Sequence, residues 1–369
     1  MIRLRINSFQ EFALRAACLG GLLLAATGCR SIGPATVPRD RSEYSTAIAD
    51  SWKRQTLLNI VKMRYLDPPI FVDVGQIVAG YSLETSLSAG GSFAETTILG
   101  GDTATVGGAA RFTDRPTITY VPLTGNNFIR GLLTPVPPQS VFFLIQSGYP
   151  ADGVLLIAAS SLNGLKNQEV SLGSVAPPAP AFLRVLELLR KIQLSGAVGL
   201  RVEMDVQKQE TTILTFRRGT DLSPEIAEAS REMRRLLGLD PEATEFKLVF
   251  AAAAASSTEI AVVTRSLIQL MQGLAIQVDV PAEHVTQGRA VPGWESASAM
   301  PDATRLIRIH SSKSKHQDAA VAIDYRGHSF WIDDRDLKSK RTFSFMMMMF
   351  ALANTGQKEN LPLITIPAQ

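Results

Sequence analysis

The chain has 369 residues, a formal net charge of +3, 46% hydrophobic and 19% charged residues, and two cysteines. That composition excludes a chain disordered throughout and supplies enough apolar area for one large or two medium domains. Its 37 basic and 34 acidic side chains balance closely and form no long basic run, which argues against nucleic acid as the main partner.

Arg3, Arg5 and Arg15, with Glu11 as the one acidic residue, make a basic start. Ala16 to Ala26 follows as eleven uncharged, mostly apolar residues. A bilayer-spanning helix needs about 20, so this run suits the apolar part of a signal peptide. It leads into Ala26-Thr27-Gly28-Cys29, which resembles the lipobox of bacterial lipoproteins, with Ala26 where leucine is usual. The resemblance implies cleavage between Gly28 and Cys29, diacylation of the Cys29 thiol and acylation of the new amine. Arg30 stands where aspartate often retains lipoproteins in the inner membrane. The family rule therefore implies the outer membrane of a Gram-negative cell, with the body facing the periplasm. Each buried methylene contributes about 0.8 kcal/mol, so several acyl chains anchor stably. With Cys18 in the leader and Cys29 acylated, no thiol remains for a disulfide, a thiolate metal site or a cysteine nucleophile.

The fold class expected is α+β: an N-terminal helix, a long antiparallel hairpin and further helices, then a mixed α+β domain. The boundaries expected are a signal peptide at 1–28, a polar tether at 29–41, a helical domain at 42–172, a Pro-rich linker at 173–181 and an α+β domain at 182–369. Ser42 to Leu66 reads as an amphipathic helix, because Tyr44, Ile48 and Trp52, then Leu57, Val61 and Tyr65, recur at helical spacing. Asp50 and Arg54 are placed to pair across one turn. Asp67-Pro68-Pro69 ends the helix.

The segment at about 76–120 is the most unusual of the mature chain. Ile77, Ala79, Tyr81, Leu83, Leu87, Ala89 and Phe93 alternate with polar or tiny residues. A second run places Ala104, Val106, Gly108, Ala110 and Phe112 opposite Thr103, Thr105, Arg111 and Thr113, and Ile118 and Tyr120 extend it. Period two puts the sets on opposite faces of a strand. A long hairpin turning near Gly100-Gly101 is expected, its face of Ile77, Tyr81, Leu83, Leu87, Phe93, Val106, Phe112, Ile118 and Tyr120 meeting core or membrane. In one reading this face lies on the protein core. In the other it enters the outer membrane as part of a barrel shared between subunits, with Glu84 and Arg111 on the lumen side.

Asn126 to Lys166 reads as helical, including a helix from Ala151 to Leu165. In the second half, Phe182 to Leu194 is a helix and Leu200 to Val206 pairs with Thr211 to Phe216. Ser223, Pro224 and Gly238 bound another helix. Phe246 to Phe250 is a strand and Ile260 to Leu274 an amphipathic helix, followed by a loop over Thr286 to Ala303. Leu306 to Ile309, Ala319 to Asp324 and Ser329 to Ile332 are strands, the last two joined by Tyr325-Arg326-Gly327-His328. Asp333 or Asp334 caps a helix over Arg335 to Ala353, and Leu363 to Ile366 closes the chain.

No catalytic pattern stands out. Asp333-Asp334-Arg335-Asp336 lacks the glycine-bearing spacing of a calcium loop and suits a helix cap. His284, His310, His316 and His328 have no metal-ligand spacing, and each is expected at the surface or in a cap. No serine elbow or phosphate-cradling glycine loop occurs, so neither cofactor nor metal is expected. Phe343 to Phe350, apolar all round, suits a buried helix.

Ser51 to Val74 and Phe330 to Leu337 resemble an uncharacterised group of bacterial lipoproteins, a likeness that implies no activity. The expectation is a non-enzymatic, lipid-anchored envelope scaffold or assembly component. Its partners are the membrane, through acyl chains on Cys29, unidentified proteins, and other copies of itself. The alternative is an oligomeric outer-membrane pore built from the 76–120 hairpins; an envelope hydrolase comes third.

Overall fold

The computed structural model describes residues 32–92, 103–171, 174–204, 210–217, 222–294 and 304–353. They form a mixed α+β arrangement with an N-terminal helix and several sheets, none closed into a barrel. Contacts divide them into two units, 32–49 with 74–121 and 50–73 with 122–353. Among the described residues, no helix is long and apolar enough to cross a membrane. Gly28, Cys29 and Phe93, the turn near Gly100-Gly101, and Leu363 to Ile366 lie outside the described residues.

Helix α1 (Ile32–Arg64) supplies residues to both units. The stretch expected as a tether is therefore helical from Ile32, with Pro38 inside the helix. Asp50 pairs with Lys53 at 3.0 Å, rather than with Arg54. In the second unit Leu57, Ile60, Val61 and Tyr65 are buried, as their spacing requires. Two amides on the same helix hold the chain that follows. Asn59 Nδ2 donates to the Ile70 carbonyl at 2.8 Å while its Oδ1 accepts from Ile70 N–H at 3.0 Å. Four residues earlier, Gln55 clasps Val72 in the same two-way manner, at 2.8 and 2.5 Å. The chain comes back beside this point, where Leu123 N–H donates to the Phe71 carbonyl at 2.9 Å.

The main sheet of the second unit has the order β6 (Leu165–Lys166), β5 (Ala159–Leu162), β12 (Glu259–Thr264), β11 (Glu245–Val249), β10 (Glu210–Phe216) and β9 (Val198–Met204). β11 and β12 are parallel and the other neighbours antiparallel. Leu214, Phe216, Phe246, Ile260 and Val262 are buried in the core. So are Phe182, Leu188 and Ile192 of α5 (Pro180–Leu194) and Met233 of α6 (Pro224–Leu237). Fully burying one such side chain contributes about 1.5–3 kcal/mol. Ser223 Oγ accepts from Ile226 N–H and Gly238 takes a left-handed φ of 65°, so α6 has the caps its sequence announces.

Three segments depart from expectation. The helix from Ala151 is α4 (Ala151–Ala158), and β5 and β6 follow it around Asn163-Gly164, whose φ values of 42° and 79° make a tight turn. Ile260 to Leu274 is two elements, because its β-branched run Ile260, Val262, Val263 and Thr264 favours a strand. Ser266 then starts α7 (Leu267–Ala275) with a capping box to Gln269. Within the stretch expected as a linker, β8 (Ser174–Ala176) pairs with β7 (Glu169–Ser171). β5 and β6, from before that stretch, share a sheet with β9 to β12, from after it.

A second sheet has the order β13 (His310–Ser312), β15 (His328–Asp333) and β14 (Ala319–Tyr325). Its first strand starts after Ile309, which instead bridges Val278. Helix α9 (Leu337–Ala353) packs on β15 and buries Phe343, Phe345, Met346 and Met349. Its cap is Asp336, whose carboxylate accepts from Ser339 N–H at 3.0 Å and from the Ser339 hydroxyl.

Candidate functional site

The alternating segment forms two separate strand pairs. β1 (Val72–Val78) pairs with β4 (Thr117–Pro122), and β2 (Tyr81–Ser92) pairs with β3 (Thr103–Asp114). The break falls at Gly80, whose carbonyl accepts from Arg115 N–H at 2.9 Å, and at Pro116, which has no N–H to donate. Ile77 therefore belongs to β1 and Ile118 and Tyr120 to β4, while Tyr81, Leu83, Leu87, Val106 and Phe112 belong to the β2–β3 ribbon.

That ribbon is antiparallel and in register along its described length, with Leu83 opposite Phe112, Leu87 opposite Gly108, and Ala89 opposite Val106. Directly opposed residues share a face. Leu83 and Phe112 thus share one face, and Tyr81 stacks on Phe112 at 6.0 Å and 20°. Glu84 lies opposite Arg111 on the other face, where opposite charges across a pair contribute roughly 0.2–1 kcal/mol. Ser88 Oγ donates to the Gly107 carbonyl and Thr105 Oγ1 to the Gly90 carbonyl, each at 3.2 Å, so hydroxyls tie the strands across their small residues. The neighbouring Asp40 carboxylate raises the Tyr81 phenol above its ordinary range, and the phenol in turn lowers the carboxyl.

Of the face expected to meet core or membrane, Ile77 and Tyr81 are partly buried within their own unit. Leu83 is 50%, Phe112 53% and Tyr120 62% exposed, and Ile118 is exposed as well. Among the described residues the ribbon has only two strands, so both outer edges present unpaired N–H and C=O groups.

A second cluster, in the other unit, was not foreshadowed by any motif in the chain. The Tyr65 hydroxyl shares a 2.8 Å hydrogen bond with His284 Nδ1 from α8 (Ala282–Thr286). The His284 ring meets His328 edge-on at 5.2 Å. Asp67 accepts from the Tyr325 hydroxyl and, at 2.8 Å, from Arg326, whose guanidinium lies 4.8 Å over the Tyr65 ring. His284 is buried, a correction to its expected surface position. Burial first, then the nearby Arg289, lowers its pKa from the ordinary value. Asp67 is lowered chiefly by the Tyr325 hydroxyl and then by Arg326. Arg326 and Gly327 both have positive φ, as the tight turn between β14 and β15 demands. Turn chemistry was the one available signal, because pairing across 219 residues leaves no local pattern. Among the described residues, no three His, Cys, Asp or Glu side chains gather as a metal site. The cluster links the end of α1, α8 and the β14–β15 turn, and burial there favours the uncharged form of His284 beside the Tyr65 phenol.

Comparison with protein-family models, curated proteins and solved structures found no match for this chain.

Proposed function

We propose that the protein is a lipid-anchored, non-enzymatic component of the cell envelope, held through Cys29 at the periplasmic face of the outer membrane. Its β2–β3 ribbon joins it to other proteins or to further copies of itself. The observation that carries this reading is the ribbon: two strands of 12 residues each, with both edges unpaired among the described residues and Leu83 and Phe112 half exposed. Free edges template pairing with another chain, and main-chain hydrogen bonds then supply affinity. The leader ending in Gly28-Cys29 supports the anchor.

A shared outer-membrane barrel is the second reading, favoured by strand length. Twelve residues exceed the roughly 9–11 needed to cross a bilayer as a strand, and Glu84 and Arg111 sit on the face opposite Leu83 and Phe112.

The test compares the full protein with a variant lacking 81–114, both purified in detergent. Palmitate labelling is expected in the intact protein and lost in Cys29→Ser. Light scattering is expected to show an assembly that the ribbon deletion disperses. Single-channel conductance in the intact assembly selects the barrel. Labelling that survives Cys29→Ser, or an intact protein as monomeric and partnerless as the deletion, overturns the proposal.

A further inference from the structure

A cavity of about 380 Å³ opens beside α7, and none of the Tyr65–His284 cluster residues lines it. Its polar wall includes Ser160, Ser161, Gln168 and Arg265, and its apolar wall Ile157, Leu270 and Leu274. Among the described residues, Arg265 has no carboxylate in contact with its guanidinium. Nη1 donates to the carbonyls of Leu156 and Ile157 at 3.2 and 2.8 Å, and Nη2 to the carbonyl of Gln168. The two Nη1 contacts cap the C-terminal end of α4, and the three together leave two of the five N–H donors of the guanidinium. Burial alone pulls its pKa down to about 10, a direction that an anionic neighbour would reverse. Gln168 is 5% exposed, and its Nε2 has no hydrogen-bond partner among the described residues. A buried donor left unpaired is costly, and the Gln168 side chain that carries it lines the same space as Arg265, whose guanidinium has two donors beyond these three contacts, which marks a place for an acceptor.

We propose that this cavity binds a small organic carboxylate, its anionic head on Arg265 and the Gln168 amide and its apolar body against Ile157, Leu270 and Leu274. A carboxylate matches the planar donor edge of a guanidinium, and the volume falls within the range of small-molecule sites. Lys166 and Glu169 also line the cavity, but they pair with each other at 4.0 Å, so their charges offset and Arg265 is left as the cation for an anionic head.

Calorimetric titration of the full chain with benzoate, benzyl alcohol and inorganic phosphate tests this. Saturable one-to-one binding is expected for benzoate alone. Arg265→Gln is expected to weaken it by about tenfold or more, the size of a lost charge-assisted hydrogen bond. Arg265→Gln also removes the α4 cap and can impair folding, so Gly273→Phe carries the test independently. Gly273 lines the cavity, and a Cβ there meets no atom within 4 Å, so the ring fills the space while α7 stays helical. The proposal is overturned by absence of saturable benzoate binding, by benzoate affinity unchanged in Gly273→Phe, or by equal binding of benzyl alcohol or phosphate.

Discussion

Asn59 and Ile70 exchange two hydrogen bonds, so a helix side chain pairs with an extended residue much as a neighbouring strand would. Asn59 is fully buried in α1, and its amide fixes where the chain leaves the helix for β1. Asn59→Ala removes both bonds and is expected to cost about 1–3 kcal/mol, at roughly 1 kcal/mol per bond plus a desolvated remainder. The midpoint of urea unfolding should fall, and amide exchange at Ile70 should quicken more than exchange at Val262. Equal exchange rates in mutant and parent would refute the clasp.

His284 makes stability depend on pH with a definite sign. Its folded-state pKa lies below the ordinary value of 6.5, chiefly through burial. Near pH 6.5 the unfolded chain therefore binds a proton that the folded protein does not. Stability is complete above that pH, declines as pH falls from there toward the folded-state value, and levels off below it. His310, also lowered by burial, adds to the same decline. His284→Gln should shrink the loss of thermal midpoint between pH 7.5 and 5.5; an unchanged loss would assign the effect elsewhere.

Gly293 faces the fully buried guanidinium of Arg64 so closely that a Cβ could not fit without displacing it. Gly293→Ala is expected to destabilise by about 1–3 kcal/mol, as overpacking does. Gly131→Ala, at a helical site in α2 (Asn126–Leu133) with no atom within 4 Å, should be neutral or stabilise by up to about 1 kcal/mol. Denaturant titrations that rank the two alike would contradict the crowding at 293.

Asn163 serves the β5–β6 turn in two ways. Its φ is 42°, and its amide donates to the Leu237 carbonyl at 2.7 Å and accepts from Ala261 N–H at 2.6 Å. Asn163→Ala should cost about 2–4 kcal/mol, from two bonds near 1 kcal/mol each and a left-handed residue without a compensating side chain. Asn163→Gly, which tolerates the backbone, should cost less. A reversed order in thermal unfolding would show that backbone conformation is not part of the cost.

Period-two patterning makes the ribbon legible in the amino-acid order, because sidedness in a strand is a local property. The caps of α6 and the apolar stretch Phe343 to Phe350 of α9 are legible for the same reason. Asn163-Gly164 is equally local, a strong hairpin dipeptide, yet the apolar run Val154 to Ala158 before it invites a longer helix. The β12–α7 junction is hidden by hydrophobicity continuing across Arg265. Neither Tyr65 with His284 nor Arg265 with Gln168 can be read, since nothing in the intervening chain encodes which distant segments meet. The exposure of Leu83 and Phe112 is unreadable too, because alternation specifies two faces and not what either one touches.

The backbone bond from Leu123 to Phe71 means that residues 72–122 depart and return through one narrow gate. Enlarging such an excursion is cheap, since each doubling of its length adds only about 0.6 kcal/mol of closure entropy. Insertions within the strand pairs are thus tolerated at little entropic cost. Adding residues two at a time to both strands preserves which side chains look which way, whereas a single addition inverts them beyond that point.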